Sequence, residues 1–196
     1  MKFRRLVPAI IIAFVLISSV SGADAQEMRR LNAGVLPVFY YFDDDYFGIG
    51  NGGGADIVLR YEIRQNFFFE NRLGGYAASQ NGNNITGFNG QLGATAFLPV
   101  WIPWRPSARF AFALMTANPV ISDPVQEFRP SQTVFYCVAG IGITRAISAD
   151  FQIEAGADIL FTPYSYRVYE FYRQYVEVHE ARFTHLAFFI GASYTF

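Results

Sequence analysis

The sequence predicts an all-β fold in which eight antiparallel strands close as an up-and-down transmembrane β-barrel. Three observations carry that expectation. Beyond residue 25, apolar and polar residues alternate with period two in segments of about ten residues, the length of a membrane-crossing strand. The connectors between segments are alternately long and short. Aromatic residues make up 18% of the chain, with 21 Phe and 12 Tyr, and many collect at one predicted strand edge.

The first 25 residues read as a signal peptide. A positive start (Lys2, Arg4, Arg5) precedes an apolar run from Leu6 to Ile17 and an Ala23-Asp24-Ala25 cleavage site. That run is shorter than the roughly 20 apolar residues of a spanning helix. No cysteine stands at the cleavage site, which argues against a lipid-anchored lipoprotein. The barrel domain is therefore expected at 26–196. Cleavage removes three basic residues and one acidic one, so 15 and 16 become 12 and 15. A slightly acidic domain has no basic footprint for nucleic acid. Cys137 is the lone cysteine, which rules out an internal disulfide. Lysine is absent after Lys2, and arginine, whose planar fork pairs bidentately with carboxylates, suits enclosed ion networks better than a wet surface.

Each strand follows from its alternation. Arg30–Phe42 sets Leu31, Ala33, Val35, Pro37, Phe39 and Tyr41 on one face. Gly54–Ile63 opposes Ala55, Ile57, Leu59, Tyr61 and Ile63 to Asp56, Val58, Arg60 and Glu62. Phe68–Ala78 opposes Phe69, Asn71, Leu73, Gly75 and Ala77 to Glu70, Arg72, Gly74 and Tyr76. Phe88–Leu98 opposes Phe88, Leu92, Ala94 and Ala96 to Asn89, Gln91, Gly93 and Thr95. Ser107–Met115 opposes Ala108, Phe110, Phe112 and Leu114 to Arg109, Ala111 and Ala113. Gln132–Thr144 is apolar on both faces; Gly140 and Gly142 are expected inward, because small residues fit narrow barrels. Phe151–Thr162 opposes Phe151, Ile153, Ala155, Ala157, Ile159 and Phe161 to Gln152, Glu154, Gly156 and Asp158. Phe183–Phe196 opposes Leu186, Phe188, Ile190, Ala192, Tyr194 and Phe196 to His185, Gly191, Ser193 and Thr195.

The connectors Asp43–Gly53, Ser79–Gly87, Ala117–Ser131 and Pro163–Arg182 are long; Arg64–Phe67, Pro99–Pro106 and Arg145–Asp150 are shorter. Long extracellular loops and short periplasmic turns place both termini on the periplasmic side. Phe67, Phe68, Phe69, Trp101, Trp104, Phe151, Tyr194 and Phe196 then form an interfacial girdle at that edge. The apolar face is thus read as lipid-facing, and the polar face encloses a mixed charge network of Asp56, Arg60, Glu62, Glu70, Arg72, Arg109, Glu154 and Asp158. The competing arrangement is a soluble, lipocalin-like periplasmic carrier. Pro37 removes a ladder donor and calls for a bulge or a rim position. Asn71, polar on the outward face, is expected near an interface.

The final segment, with Phe188, Ile190, Ala192, Tyr194 and Phe196 at alternate positions, resembles the C-terminal assembly signal of bacterial outer-membrane proteins. With the eight strands and the signal peptide, the chain resembles the small eight-stranded outer-membrane barrels of the opacity-protein type and the membrane domain of outer membrane protein A. That resemblance implies residence in the bacterial outer membrane among its lipids and lipopolysaccharide, and insertion by the barrel assembly machinery. It implies no single activity, since such barrels include adhesins, structural proteins and a few lipid-modifying enzymes.

No residue pattern amounts to a catalytic signature, and no cofactor or metal is expected. Eight strands leave an interior that side chains fill, which favours a closed barrel over a small channel. The enzyme alternative is a lipid A acyl hydrolase or acyltransferase built on His179 or His185 with Ser165 and Glu177 or Glu180, although tight His-Ser spacing is missing. Asp43-Asp44-Asp45 lacks the regular ligand spacing of a calcium loop and reads as a solvated turn. The last long loop carries Tyr164, Tyr166, Tyr169, Tyr172 and Tyr175 with interleaved arginines, either as a surface-binding loop for an extracellular protein or ligand, or as an upper aromatic girdle. Its residual alternation suggests a hairpin. The functional expectation is a non-enzymatic outer-membrane barrel serving surface interaction, adhesion or envelope integrity.

Overall fold

Ten strands are present in the computed structural model, which describes residues 30–44, 49–80, 83–98, 103–120, 132–163, 165–171 and 176–196. They are β1 (Leu31–Asp44), β2 (Ile49–Arg64), β3 (Phe67–Gln80), β4 (Asn83–Phe97), β5 (Trp104–Val120), β6 (Gln132–Ala146), β7 (Phe151–Phe161), β8 (Tyr166–Phe171), β9 (Val176–Ala181) and β10 (Thr184–Thr195). Eight of them close a barrel in the order β1-β10-β7-β6-β5-β4-β3-β2, every pair antiparallel. The remaining two, β8 and β9, pair as a separate hairpin inserted between β7 and β10. The proposed signal peptide, Asp45, Trp101, Tyr164, Tyr172 and Tyr175 lie outside the described residues.

Period-two alternation decides the wall. Val35, Phe39, Ile57, Leu59, Leu73, Phe88, Phe110, Phe112, Ile141, Ile159, Phe188 and Ile190 are exposed on the outside, whereas Asp56, Arg60, Glu70, Arg72, Arg109, Glu154 and Asp158 are buried inside. This polarity is the reverse of a water-soluble barrel, and a continuous apolar belt of this extent needs an apolar solvent. Gly140 and Gly142 lie on the inner face of β6, against Asp158 and Ser107. Among the described residues no helix is long and apolar enough to cross a membrane; the strands make the wall.

Three features depart from the sequence-based boundaries. The strands rise further than the alternation suggested: β2 begins at Ile49, β5 runs to Val120, and Asp43 and Asp44 belong to β1. Hairpin pairing carries these extensions, since Gly52 and Gly53 are in register with both β1 and β3 despite reading as loop. Phe68 does not join the outer girdle. It sits on the inner-face parity with Glu70 and meets Phe97 edge-on, with ring centroids 5.4 Å apart. Pro37 is absorbed without a bulge on the β10 side: the same register runs from Val35↔Ala192 to Val38↔Phe189, and only the two intervening pairs are lost. Asn71 faces outward between Leu59 and Leu92.

At the end of the barrel that carries both termini, the hairpins are short. Asn66 takes a positive φ of 63° in the β2–β3 turn, a conformation Asn tolerates because its short polar side chain can bond locally. Its carbonyl accepts the Phe97 N–H at 2.8 Å, which ties that turn to β4. The Phe196 N–H donates to the Leu31 carbonyl at 2.8 Å, sewing the last strand to the first.

Candidate functional site

The interior of the barrel is the most structured chemical environment in the molecule. Each of its charged groups sits where alternation points it inward, and burial leaves those groups only one another as partners. Glu70 on β3 is the hub. Its carboxylate accepts hydrogen bonds from the Nε atoms of Arg60, Arg72 and Arg109, and from the Thr95 hydroxyl at 2.9 Å. Arg60 also clasps Glu154 bidentately, at 2.9 and 2.7 Å. Arg72 and Arg109 share Asp158 Oδ2, at 3.2 and 2.6 Å. Three arginines from β2, β3 and β5 are thereby cross-linked to three carboxylates from β3 and β7.

Two residues of the expected network stand apart from this cluster. Glu62 lies next to the bulge before Arg64, and its Oε1 accepts the Asn66 N–H of the turn at 3.4 Å instead of meeting an arginine. Asp56 is buried but touches Asn89 Nδ2 at 3.5 Å, because the Arg72 guanidinium is directed to Glu70 and Asp158. The sequence reading put Asn89, Gln91, Thr95, Gln152 and Ser193 on the inner face without assigning them to the network. Gln91 accepts from Arg109, Ser193 donates to Glu154 at 3.2 Å, and Gln152 donates to Ser193 at 2.9 Å. Their polarity on an enclosed face was the available signal.

Above the ionic layer, towards the long connectors, the interior turns aromatic. Tyr40, Phe42, Tyr76, Tyr136, Phe183 and His185 are buried together. Phe42 meets His185 edge-on at 4.7 Å between centroids, and the Tyr136 hydroxyl lies 2.8 Å from His185 Nε2. The Arg72 guanidinium stacks over Phe189 at 4.5 Å and joins the two layers. His185 is 4% exposed, and its Nδ1 has no partner among the described residues. Beside the arginines a cavity of about 10 Å³ remains, roughly the room of one water; it is lined in part by Asp158, whose Oδ1 has no hydrogen-bond partner among the described residues.

Other sequence candidates lie elsewhere. Phe188, Ile190, Tyr194 and Phe196 point outward along β10, the strand that closes the barrel against β1. Tyr166 and Tyr169 fall in β8 and His179 in β9, where Val168 is paired with His179 and Glu170 with Glu177. His185 and His179 thus sit on different sheets. Among the described residues no group of three His, Cys, Asp or Glu is placed to hold a metal ion.

Inverted polarity and closure through β1 and β10 define the architecture of the small eight-stranded outer-membrane barrels. No protein-family model matches the chain, and no curated protein matches it. Solved structures do. Neisserial surface protein A is similar with a TM-score of 0.61 at 13% identity, covering 86% of this chain and 97% of that one. The outer membrane protein OprG from Pseudomonas aeruginosa follows at 0.54 and 8% identity, covering 86% and 95%. Ail, the attachment invasion locus protein of Yersinia pestis, gives 0.52 at 12% identity, covering 86% and 97%. At such identities the likeness is one of fold.

Proposed function

We propose that the chain is a non-enzymatic barrel of the bacterial outer membrane. It is exported by its signal peptide and inserted by the barrel assembly machinery through the Phe188–Phe196 segment. Its interior is closed by its own side chains, and it serves surface contact or envelope integrity through its long connectors. The observation that carries this reading is Glu70 accepting from three arginines at once. A lumen cross-linked at that point resists ion flow, and it leaves the hairpin and loops as the parts free to meet other molecules. The β8–β9 hairpin, with Tyr166 and Tyr169, is the contact element in this proposal. Two of the similar structures are, by name, a surface protein and an attachment invasion locus protein, which supports the same direction.

The reading is tested in a deletion strain complemented with the full chain or with the segment 164–182 replaced by a short turn. Loss of cell-surface binding with the barrel still inserted supports a contact role. Loss of resistance to detergent, restored equally by both forms, supports a role in envelope integrity. Large stable conductance steps in a planar bilayer sink the closed interior.

A further inference from the structure

Arginine is used in two contrasting ways along the barrel axis. Arg60, Arg72 and Arg109 are buried in the lumen and saturated with carboxylates. Arg30, Arg64, Arg105 and Arg145 all lie at the end that holds the termini, and among the described residues none of them is ion-paired. Among the described residues Glu62 and Asp150 carry the acidic side chains at that end, against these four guanidiniums.

Arg145 is the best defined of these. It leaves the outer face of β6 and stacks over the Trp104 ring, 5.5 Å from its centroid. Trp104 is its directly paired neighbour on β5. Stacking fixes the plane of the guanidinium while leaving its N–H edge available to an oxyanion. The partner of Arg145 on β7 is Ile153, and beyond Ile153 the outer wall holds a groove. Ala155 and Ala157 of β7 form its floor. On one side Ala155 pairs with Ile143 and Ala157 with Ile141; on the other they pair with Ile190 and Phe188. The ridges stand out, with Ile141 71% and Ile190 67% exposed, so the two alanines run as a trough between rows of branched and aromatic side chains. The trough is apolar along its length, and Ile153 separates it from Arg145, which lies beside the Trp104 indole and has no ion pair among the described residues.

We propose that this groove binds one anionic glycerophospholipid of the periplasmic leaflet, its phosphate held by Arg145 against Trp104 and an acyl chain lying over Ala155 and Ala157. The shape selects this occupant. A soluble anion would have no use for the trough, and a zwitterionic lipid would fill the trough but offset the phosphate's charge beside Arg145. A periplasmic protein would have to reach below the headgroups to touch Ile141. The site rests on the membrane reading above and adds a lipid preference to it.

The test uses the full chain with Trp101→Phe, so that Trp104 is the one indole, inserted in phosphatidylcholine vesicles. Brominated phosphatidylglycerol or brominated phosphatidylcholine is titrated in as guest lipid, and Trp104 fluorescence quenching is read. The expected result is quenching at lower mole fraction by the phosphatidylglycerol. Arg145→Gln should reduce that preference about fivefold, the usual weight of one basic residue at an anionic surface. Arg145→Lys should recover part of it, since a point charge lacks the stacked fork. Ala155→Leu with Ala157→Leu, which fills the trough, should weaken quenching by both lipids while the boiled and unboiled forms still migrate apart on a gel. Equal quenching by the two headgroups in the inserted protein overturns the site. Quenching by neither removes the membrane reading, and the site with it.

Discussion

Asp158 stands directly across from Gly140 on the neighbouring strand, and its Oδ1 occupies the space a Cβ at position 140 would fill. The carboxylate leans over the glycine while its other oxygen accepts from Arg72 and Arg109. Gly140→Ala should therefore displace a group that two arginines depend on. Overpacking of this kind costs about 1–3 kcal/mol. The expected outcome is a lower urea midpoint for the barrel in detergent micelles. Gly75→Ala is the control: it faces outward, and its nearest neighbour would be the Gly87 carbonyl at an ordinary 3.6 Å. Equal shifts for both variants would mean that Asp158 does not depend on the room Gly140 leaves.

Glu70→Gln is expected to be the most damaging single change in the lumen. Glu70 is 1% exposed and accepts from three guanidiniums, so the amide leaves Arg60, Arg72 and Arg109 with one fewer negative charge between them. Breaking a buried pair by removing one partner costs about 3–5 kcal/mol, because the remaining charge stays buried. Glu62→Gln, at the turn, should stay within about 0.5 kcal/mol. Urea unfolding of the two variants side by side measures both. A Glu70 variant as stable as the Glu62 variant would show that the cluster carries no stability.

Alternation made the face of a strand residue legible but not its height or its reach. Arg60, Glu70, Arg72, Arg109, Glu154 and Asp158 all project inward, as period two requires. That they meet at Glu70 depends on the relative register of β2, β3, β5 and β7, which no local pattern encodes. Asp56 and Glu62 share the parity of Arg60 yet lie four residues before it and two after it along the strand, far enough to reach Asn89 and the turn instead. Phe68 was misread because its edge position drew attention while its parity pointed inward. The glycine-rich start of β2 looked like loop, since glycine weakens a strand on its own; here pairing to β1 and β3 holds it, and Gly52 packs its bare Cα against Ala78. The aromatic layer around His185 was hidden for a different reason. Tyr40, Tyr76 and Tyr136 are inward residues of three separate strands whose convergence appears only when the barrel closes.

Pro37 marks a gap that a substitution should repair. The β1–β10 register would place position 37 opposite Ile190, and the pairs at Leu36 and Pro37 are the two missing from an otherwise continuous run. Both depend on an N–H that proline lacks. Pro37→Ala supplies that donor in an apolar surround, with an expected gain of about 0.5–1.5 kcal/mol. The urea midpoint should rise, and hydrogen exchange at residue 37 should be slow. A fall in stability would mean that the proline's fixed backbone angle sets the curvature of β1 more than the missing bond weakens it.

His185 carries the last prediction, because it separates the closed barrel from a lipid-modifying enzyme. Its ring is enclosed by Phe42, Tyr136 and Phe183, and Nε2 meets the Tyr136 hydroxyl at 2.8 Å. A histidine so placed works as a packing and hydrogen-bonding residue of the lumen. Tyr136→Phe removes the partner of a buried nitrogen and should cost about 1–3 kcal/mol, read as a lower urea midpoint. The His179→Ala, His185→Ala double variant should then leave the lipid A acyl masses of expressing cells unchanged relative to the parent chain, while lowering barrel stability. Mass spectrometry of lipid A decides between the readings. An acyl-chain mass change that accompanies the parent chain and disappears in the double variant would make the histidines catalytic and overturn the non-enzymatic barrel. Identical spectra with a shifted urea midpoint would place His185 among the residues that hold the lumen shut.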